Sequence, residues 1–583
     1  MKKLYLMLSM LFAFGTAANA VPAKKLQKVI TLANGAKVSV ELRGDEYLSW
    51  WEGADGTAYR ATADDAVFEA FDLEAQKPAA AARRAKTEQG RAARLARVNS
   101  SLKGADDKMR GLGGDHITYK GVKKGLVVLV DFKDKKFADG HDLEYYKQII
   151  NGKDFSDPTE GYVGSVRDYF LAQSNGQFEL DFDVVGPVTM SQNYGVYGRD
   201  VAYQKDEKVY KMIQEACDGI KDQVNLADYD WDGDGEADQV FFLYAGLGQA
   251  SGGSASTIWP HESQLRYWPC GVLKYPTGKV NTYACANELQ PVTQGSSNYI
   301  SAGIGTICHE FSHCLGFADM YDTAGQNGYG MTVFDVMDQG SYNGNGFVPC
   351  NYTAFERIYA GWVEPIELES PATVKDMKSV SDYGRPFIMY NFKNTNEYFL
   401  MENRQNTGWD KELYGCNGLL IVHVNYVPSR WTNNSVNSSK EKIQCCTVVN
   451  ADGSREMSDY YSLQGDLYPY VVKGVTMNDA FTDESEPAAK LYNKNSDGTY
   501  YLGIPITDIK RSKGSISFNV CGGDNNNILD NTFKEIVDDI NGITVANKTA
   551  DNRVYSIDGR YLGTDASKLG KGIYVVGGKK IVK

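Results

Sequence analysis

From residue 309 to residue 319 the chain reads His-Glu-Phe-Ser-His-Cys-Leu-Gly-Phe-Ala-Asp, and few local folds satisfy that spacing. Histidines four apart stand on one face of a helix, so His309 and His313 can reach a single ion from one helical turn. Gly316 tolerates a left-handed backbone, which lets the helix stop and the chain double back. Asp319 then arrives ten residues after His309, where a third ligand is needed; Asp322 is the nearby alternative. Three protein ligands leave the fourth position of a zinc ion open, the arrangement of a reacting site and not of a structural one. Glu310 is placed to activate a zinc-bound water, taking its proton and passing it to a leaving amine. The competing reading is a chance H-E-x-x-H on a core helix. The chain has only six histidines, two of them here and followed by a glycine and a carboxylate at useful distances, which favours the metal.

Two further segments carry chemistry. Val336-Met337-Asp338-Gln339-Gly340-Ser341-Tyr342 resembles the methionine-containing turn beneath the zinc of the metzincin clan. Met337 would give the ligand histidines a soft apolar floor, against the plain alternative of a core methionine, and Tyr342 is a candidate donor to the tetrahedral oxyanion. The acidic loop with Asp230, Asp232, Asp234, Glu236 and Asp238 places oxygens at calcium-loop positions one, three, five, seven and nine, with Gly235 at six. Its twelfth position is Phe241, unlike an EF-hand, so a structural calcium ion would take a ligand from elsewhere. A solvated acidic turn is the alternative.

The N-terminus has the form of a signal peptide: Lys2-Lys3, an apolar stretch from Leu4 to Phe14, and Ala18-Asn19-Ala20 as the cleavage site. Losing the two lysines takes the formal net charge from −13 to −15. Such an acidic surface argues against nucleic-acid binding, since nothing would neutralise the phosphates. No later run is long and apolar enough to be a membrane span. Ten cysteines in 583 residues make no dense disulfide framework. Cys308 and Cys314 cannot pair along a helix that rises about 9 Å between them, and Cys270 with Cys285 is the most plausible local pair.

At this length several domains are expected. Residues 1–20 are read as the signal peptide and 21–116 as a propeptide. The propeptide begins β-rich and continues from Lys77 to Lys103 as an alanine-rich, basic, solvated helix or linker. An ordinary inter-domain linker is the competing reading. A catalytic domain is expected over 117–430, opening with the buried strand Gly125 to Phe132 and a helix from Ser165 to Ser174. A second helix is expected from Gln204 to Gly219 and a strand from Gln239 to Tyr244. A β-sandwich is expected over 431–521, a linker over 522–551, and a short β domain over 552–583 with strands Val554 to Ile557 and Ile573 to Val576.

With these residues in hand, the chain resembles the immune inhibitor A-like family of secreted bacterial zinc metallopeptidases. The likeness rests on the extended helix motif, the strand Leu126 to Phe132 with Asp134, and the Tyr169-Phe170 helix ending Ser174-Asn175-Gly176. It continues through Ile258-Trp259-Pro260-His261, Ala360-Gly361-Trp362 and the strands Tyr398 to Arg404 and Leu419 to Val424. The resemblance implies an α+β, metzincin-like catalytic domain with a propeptide, zinc on His309, His313 and Asp319, Glu310 as catalytic residue, calcium, and protein substrates. The segment Asn552 to Lys583 is similar to the C-terminal sorting domains of type IX secretion in Bacteroidetes, with a plain terminal hairpin as the alternative. That likeness implies export through the periplasm to the medium or cell surface, with the secretion machinery as partner. The combined expectation is a secreted zinc endopeptidase acting on extracellular proteins and made as a zymogen. No cysteine precedes Cys217, so a propeptide thiolate cannot cap the zinc, and Asp45 is the first carboxylate candidate to do so. A catalytically dead adhesion protein and a zinc hydrolase of a non-peptide substrate are the competing classes. The intact Glu310 argues against the first, and the family likeness against the second.

Overall fold

The computed structural model describes residues 18–19, 21–102, 119–200, 205–293, 296–325, 328–438, 443–455 and 462–533, with four short strands between 554 and 582. Most of the expected signal peptide, and the end of the basic linker at 103–116, lie outside the described residues.

After Val21 the chain forms a small closed barrel from the strands Gln27–Leu32, Lys37–Gly44, Ser49–Gly53, Ala58–Ala61 and Val67–Ala70. Its interior is built from Ile30, Val40, Leu42, Trp51, Tyr59 and Phe68, and closure leaves the short strands without a free edge. The basic stretch becomes one long helix, Lys77–Leu102. It differs from the solvated helix expected, because Arg84, Thr87 and Glu88 are buried. Gly90 meets the Tyr267 ring so closely that a Cβ there would lie 2.0 Å from the phenol oxygen.

The unit that follows is organised by four parallel strands, in the order Thr282–Pro291, Val240–Leu247, Gly121–Asp131 and Phe178–Thr189. Alternation along the central strand assigns its two faces, as a pleated strand must. Val127 and Leu129 pack with Tyr146, Ile149, Phe170 and Phe311 on one face, while Leu126, Val128 and Val130 pack with Val209, Met212 and Ile213 on the other. Helices Leu143–Asn151, Val166–Gln173 and Gly305–Cys314 contribute to the first core, and Val209–Ile220 to the second. Here helices and strands interleave, a mixed α/β arrangement. The Val166–Gln173 helix begins with a reciprocal capping box between Ser165 and Asp168. It ends where Asn175 and Gly176 take positive φ. The short strand His261–Gln264 runs antiparallel to Thr282–Pro291 and forms that end of the sheet, and Ala18–Asn19 pairs antiparallel to it in turn.

Beyond residue 363 two sheets pack face to face. One contains Ile366–Glu367, Phe387–Tyr390, Glu397–Arg404, Gly418–Asn425 and Cys446–Val448; the other contains Ile506–Ser512, Ser515–Val520, Ala372–Met377 and Ile528–Leu529. Phe387, Phe399, Met401 and Ile421 meet Ile516 and Phe518 between them. Leu400, Leu420 and Val422, on the other side of the first sheet, join the core that holds Phe170 and Phe311. Strands from both sides of residue 430 therefore share one interior. All ten cysteines are free, Cys270 and Cys285 among them, so the local disulfide expected from sequence is not formed. The C-terminal segment 534–583 is a separate unit, in which Tyr561–Gly563, Val554–Ser556, Ile573–Val576 and Lys579–Val582 form a four-stranded sheet. Among the described residues no helix is long and apolar enough to cross a membrane.

Candidate active site

The Gly305–Cys314 helix is buried along its whole length. It can lie deep because it begins on a glycine: a Cβ on Gly305 would come within 1.8 Å of the Ser341 carbonyl oxygen. His309 and His313 both face Asp319. The Nε2 atoms stand 3.2 Å and 3.4 Å from Asp319 Oδ1, and the three ligand atoms lie within 4.8 Å of one another. Each imidazole is oriented from behind, His309 through Nδ1 to the Val336 carbonyl at 2.7 Å and His313 through Nδ1 to the Phe317 carbonyl at 2.9 Å. Those contacts leave the Nε2 lone pairs for a metal and fix the tautomer. Gly316, at φ +90°, makes the turn that brings Asp319 back. Asp322 is engaged elsewhere, accepting from Ala324 N, Gly328 N and Ser438 Oγ.

These residues fit zinc: two imidazole nitrogens and one carboxylate oxygen, all buried and convergent, are a donor set of the right kind and number. Burial pushes the Asp319 carboxyl up, but His313 and His309 outweigh it and hold the group well below the ordinary carboxylate range. Burial, joined by Asp319 and Glu262, drives the Glu310 carboxyl well above its usual value, with the Val21 N–H opposing.

Met337 is fully buried. Its own carbonyl accepts from Met320 N at 2.9 Å and its N–H donates to Asp335 Oδ1 at 2.8 Å, tying the methionine turn to the segment that carries Asp319. Asn434 was not anticipated from sequence. Its Oδ1 accepts from Asp319 N at 2.6 Å and its Nδ2 donates to Asp319 Oδ2, so one carboxamide holds the backbone and side chain of the third candidate ligand. Asn434 lies 115 residues away in the chain, and no local pattern marks it.

The chain's own N-terminal segment passes through the site. Val21 N donates to Glu310 Oε1 at 2.7 Å, and the Val21 carbonyl accepts from Trp259 Nε1 at 3.1 Å. Tyr342 Oη donates to the Pro22 carbonyl at 2.8 Å, and Gln339 Nε2 to the Ala23 carbonyl at 3.3 Å. Tyr342, the oxyanion-donor candidate, thus binds a main-chain carbonyl of this segment. Asp45, the expected zinc cap, feels the charge of Asp319 but is bonded to other partners. It accepts from Tyr47 N at 2.9 Å and Leu48 N at 3.1 Å, and it forms a buried ion pair with Arg84. Proximity in sequence to the propeptide could not reveal that partner, 39 residues on.

In the acidic loop, Asp230, Asp232 and Asp238 come together, and Asp230 gathers the N–H groups of Gly233, Asp234 and Gly235. Asp234 Oδ1 accepts from Glu236 N. The Glu236 side chain is turned to Arg266 and Asn281, each at 3.2 Å.

Residues 117–363 match the family model described as immune inhibitor A peptidase M6, catalytic domain. The pre-pro-metalloprotease PrtV of Vibrio cholerae serotype O1 is 26% identical over 327 residues, covering 46% of this chain and 34% of that protein. Immune inhibitor A of Bacillus thuringiensis subsp. alesti is 25% identical over 295 residues, covering 42% of this chain and 41% of its own length. The chain therefore spans between a third and a half of the curated relatives it matches. The convergent ligand candidates and the buried glutamate lie within residues 117–363, the part of the chain that is similar to the immune inhibitor A peptidase M6 catalytic domain.

Proposed function

We propose that this protein is a secreted zinc endopeptidase that hydrolyses peptide bonds of extracellular proteins and is made as a zymogen. The observation that carries the reading is Glu310 holding a peptide N–H at 2.7 Å beside three convergent ligand atoms. A zinc ion held by His309, His313 and Asp319 would supply the Lewis acidity that polarises the scissile carbonyl. Glu310 accepts a proton from the attacking water and returns it to the leaving nitrogen.

Latency, in this reading, belongs to residues 21–24. They occupy the place of a substrate and bind by main-chain carbonyls, while the Asp45–Arg84 pair and the barrel hold them in position. If signal peptidase cuts after Ala20, the Val21 amine gains a positive charge beside the Glu310 carboxylate, which tightens the blockade. Calcium in the acidic loop, and export through the C-terminal segment, are further parts of the same proposal. They are supported by the grouping of Asp230, Asp232 and Asp238 and by the strand-rich tail.

The test is casein cleavage and zinc content measured together on the secreted chain, before and after limited proteolysis of the propeptide. Activity should appear only after proteolysis and should vanish in Glu310→Ala, which keeps about one zinc. Zinc bound without any cleavage after propeptide removal would make the protein a binding module instead.

A further inference from the structure

The segment in the cleft also reports how a substrate lies there. In peptide hydrolysis the atom that receives a proton from the base is the leaving nitrogen, so the nitrogen seated on Glu310 marks that position. Val21 then stands as the first residue after the scissile bond, and Pro22 and Ala23 as the second and third. In the chain before signal-peptide removal the direction agrees ahead of that position, where Ala18 and Asn19 run antiparallel to Ser263 and Glu262 of the neighbouring strand. Beyond Glu310 the N–H groups of Ala23 and Lys24 go to the Gly44 and Ala250 carbonyls, and the segment's carbonyls go to three side chains. Trp259 Nε1, Tyr342 Oη and Gln339 Nε2 donate in turn to the carbonyls of Val21, Pro22 and Ala23. Such a row binds any peptide main chain. Selection falls on the side chain of the first residue: Val21 is fully buried in an apolar cluster to which the main domain contributes Ala250, Trp259 and Tyr342 and the barrel the remainder. A polar side chain would enter that cluster without a partner, and glycine would leave part of it unfilled. The second position needs no N–H donor, since a proline occupies it.

We propose that Trp259, Tyr342 and Gln339 form a carbonyl-binding row for the leaving half of the substrate, and that cleavage falls before branched aliphatic residues such as valine. The inference rests on the endopeptidase reading. It gives Tyr342 a substrate-gripping role on the second carbonyl in place of an oxyanion-binding one, and the two roles separate in kinetics.

The experiment uses the secreted chain after limited proteolysis. New N-termini in digested, denatured casein are sequenced, and a matched pair of peptides with Val or Gly after the cut is assayed on wild type and Tyr342→Phe. Zinc content checks that the variant is folded. Expected are Val and Ile enriched at the new N-termini and a Val peptide favoured about tenfold or more in kcat/KM. Tyr342→Phe should raise KM about fivefold with little change in kcat, the loss of one ground-state hydrogen bond. A fall in kcat of about a hundredfold at unchanged KM would identify an oxyanion donor and overturn the carbonyl row. Casein cleavage with no preference at the new N-termini would overturn the selectivity while leaving the endopeptidase reading intact. Absence of any cleavage would overturn both.

Discussion

Truncating Asn434 tests whether the third ligand is held from outside the matched domain. The carboxamide makes two bonds to Asp319, one from the backbone N–H at 2.6 Å and one to Oδ2, leaving Oδ1 turned towards the histidines. Because Asn434 has φ +46°, glycine removes the side chain without adding backbone strain, where alanine would add some. A hydrogen bond to a charged group contributes about 1.5–3 kcal/mol, and a buried N–H left unsatisfied costs about 1–3 kcal/mol. If half of that sum falls on the metal-ready arrangement, about 2 kcal/mol, zinc affinity drops roughly thirtyfold at tenfold per 1.4 kcal/mol. Loss of an outer-sphere partner ordinarily costs 10–100-fold, which brackets the figure. The assay is zinc affinity by chelator competition, paired with activity of the proteolytically activated chain across a zinc titration. Asn434→Gly should lose activity at limiting zinc and recover it when zinc is added. Wild-type zinc affinity in Asn434→Gly would refute the argument, and activity that stays low at saturating zinc would point to misfolding instead.

Three other outcomes are expected. Arg84→Met leaves the buried Asp45 carboxylate without its charge partner, a change that costs about 3–5 kcal/mol, so the zymogen should activate faster. Asp45→Asn combined with Arg84→Met should be no worse than Arg84→Met alone; additive effects on the activation rate would show that Asp45 acts elsewhere. Burial holds the His261 imidazole down at about 4, with the Trp259 carbonyl opposing. Its folded pKa is below its unfolded value, so its contribution is full above pH 6.5 and is lost as pH falls from 6.5 to 4, about 3 kcal/mol in all. His261→Gln should lose that part of the acid slope in melting temperature; identical slopes would clear His261. Gly305→Ala would drive a methyl into the Ser341 carbonyl and should destabilise the fold by about 1–3 kcal/mol. An unchanged melting temperature would show that the turn gives way.

What was legible in the sequence was whatever depends on neighbours along the chain. The four-residue step from His309 to His313 is a property of helix geometry, and Gly316 and Asp319 follow within one turn and a return. The capping box of Ser165 and Asp168 and the alternating strand from Leu126 to Val130 are local in the same sense. The β-rich start of residues 21–116 was readable for that reason too, and the burial of Arg84 in the basic helix that follows was not, because composition records charge and not partners.

Tertiary structure alone decided which distant groups meet. It turned Asp45 to Arg84 and Tyr342 to the Pro22 carbonyl, brought Asn434 to Asp319, and laid Val21 on Glu310 across 289 residues of chain. Backbone geometry repeats over a few residues and so leaves its period in the sequence. A contact between remote segments has no period; it is selected by the packing of everything between them, and it becomes visible only once the chain has folded.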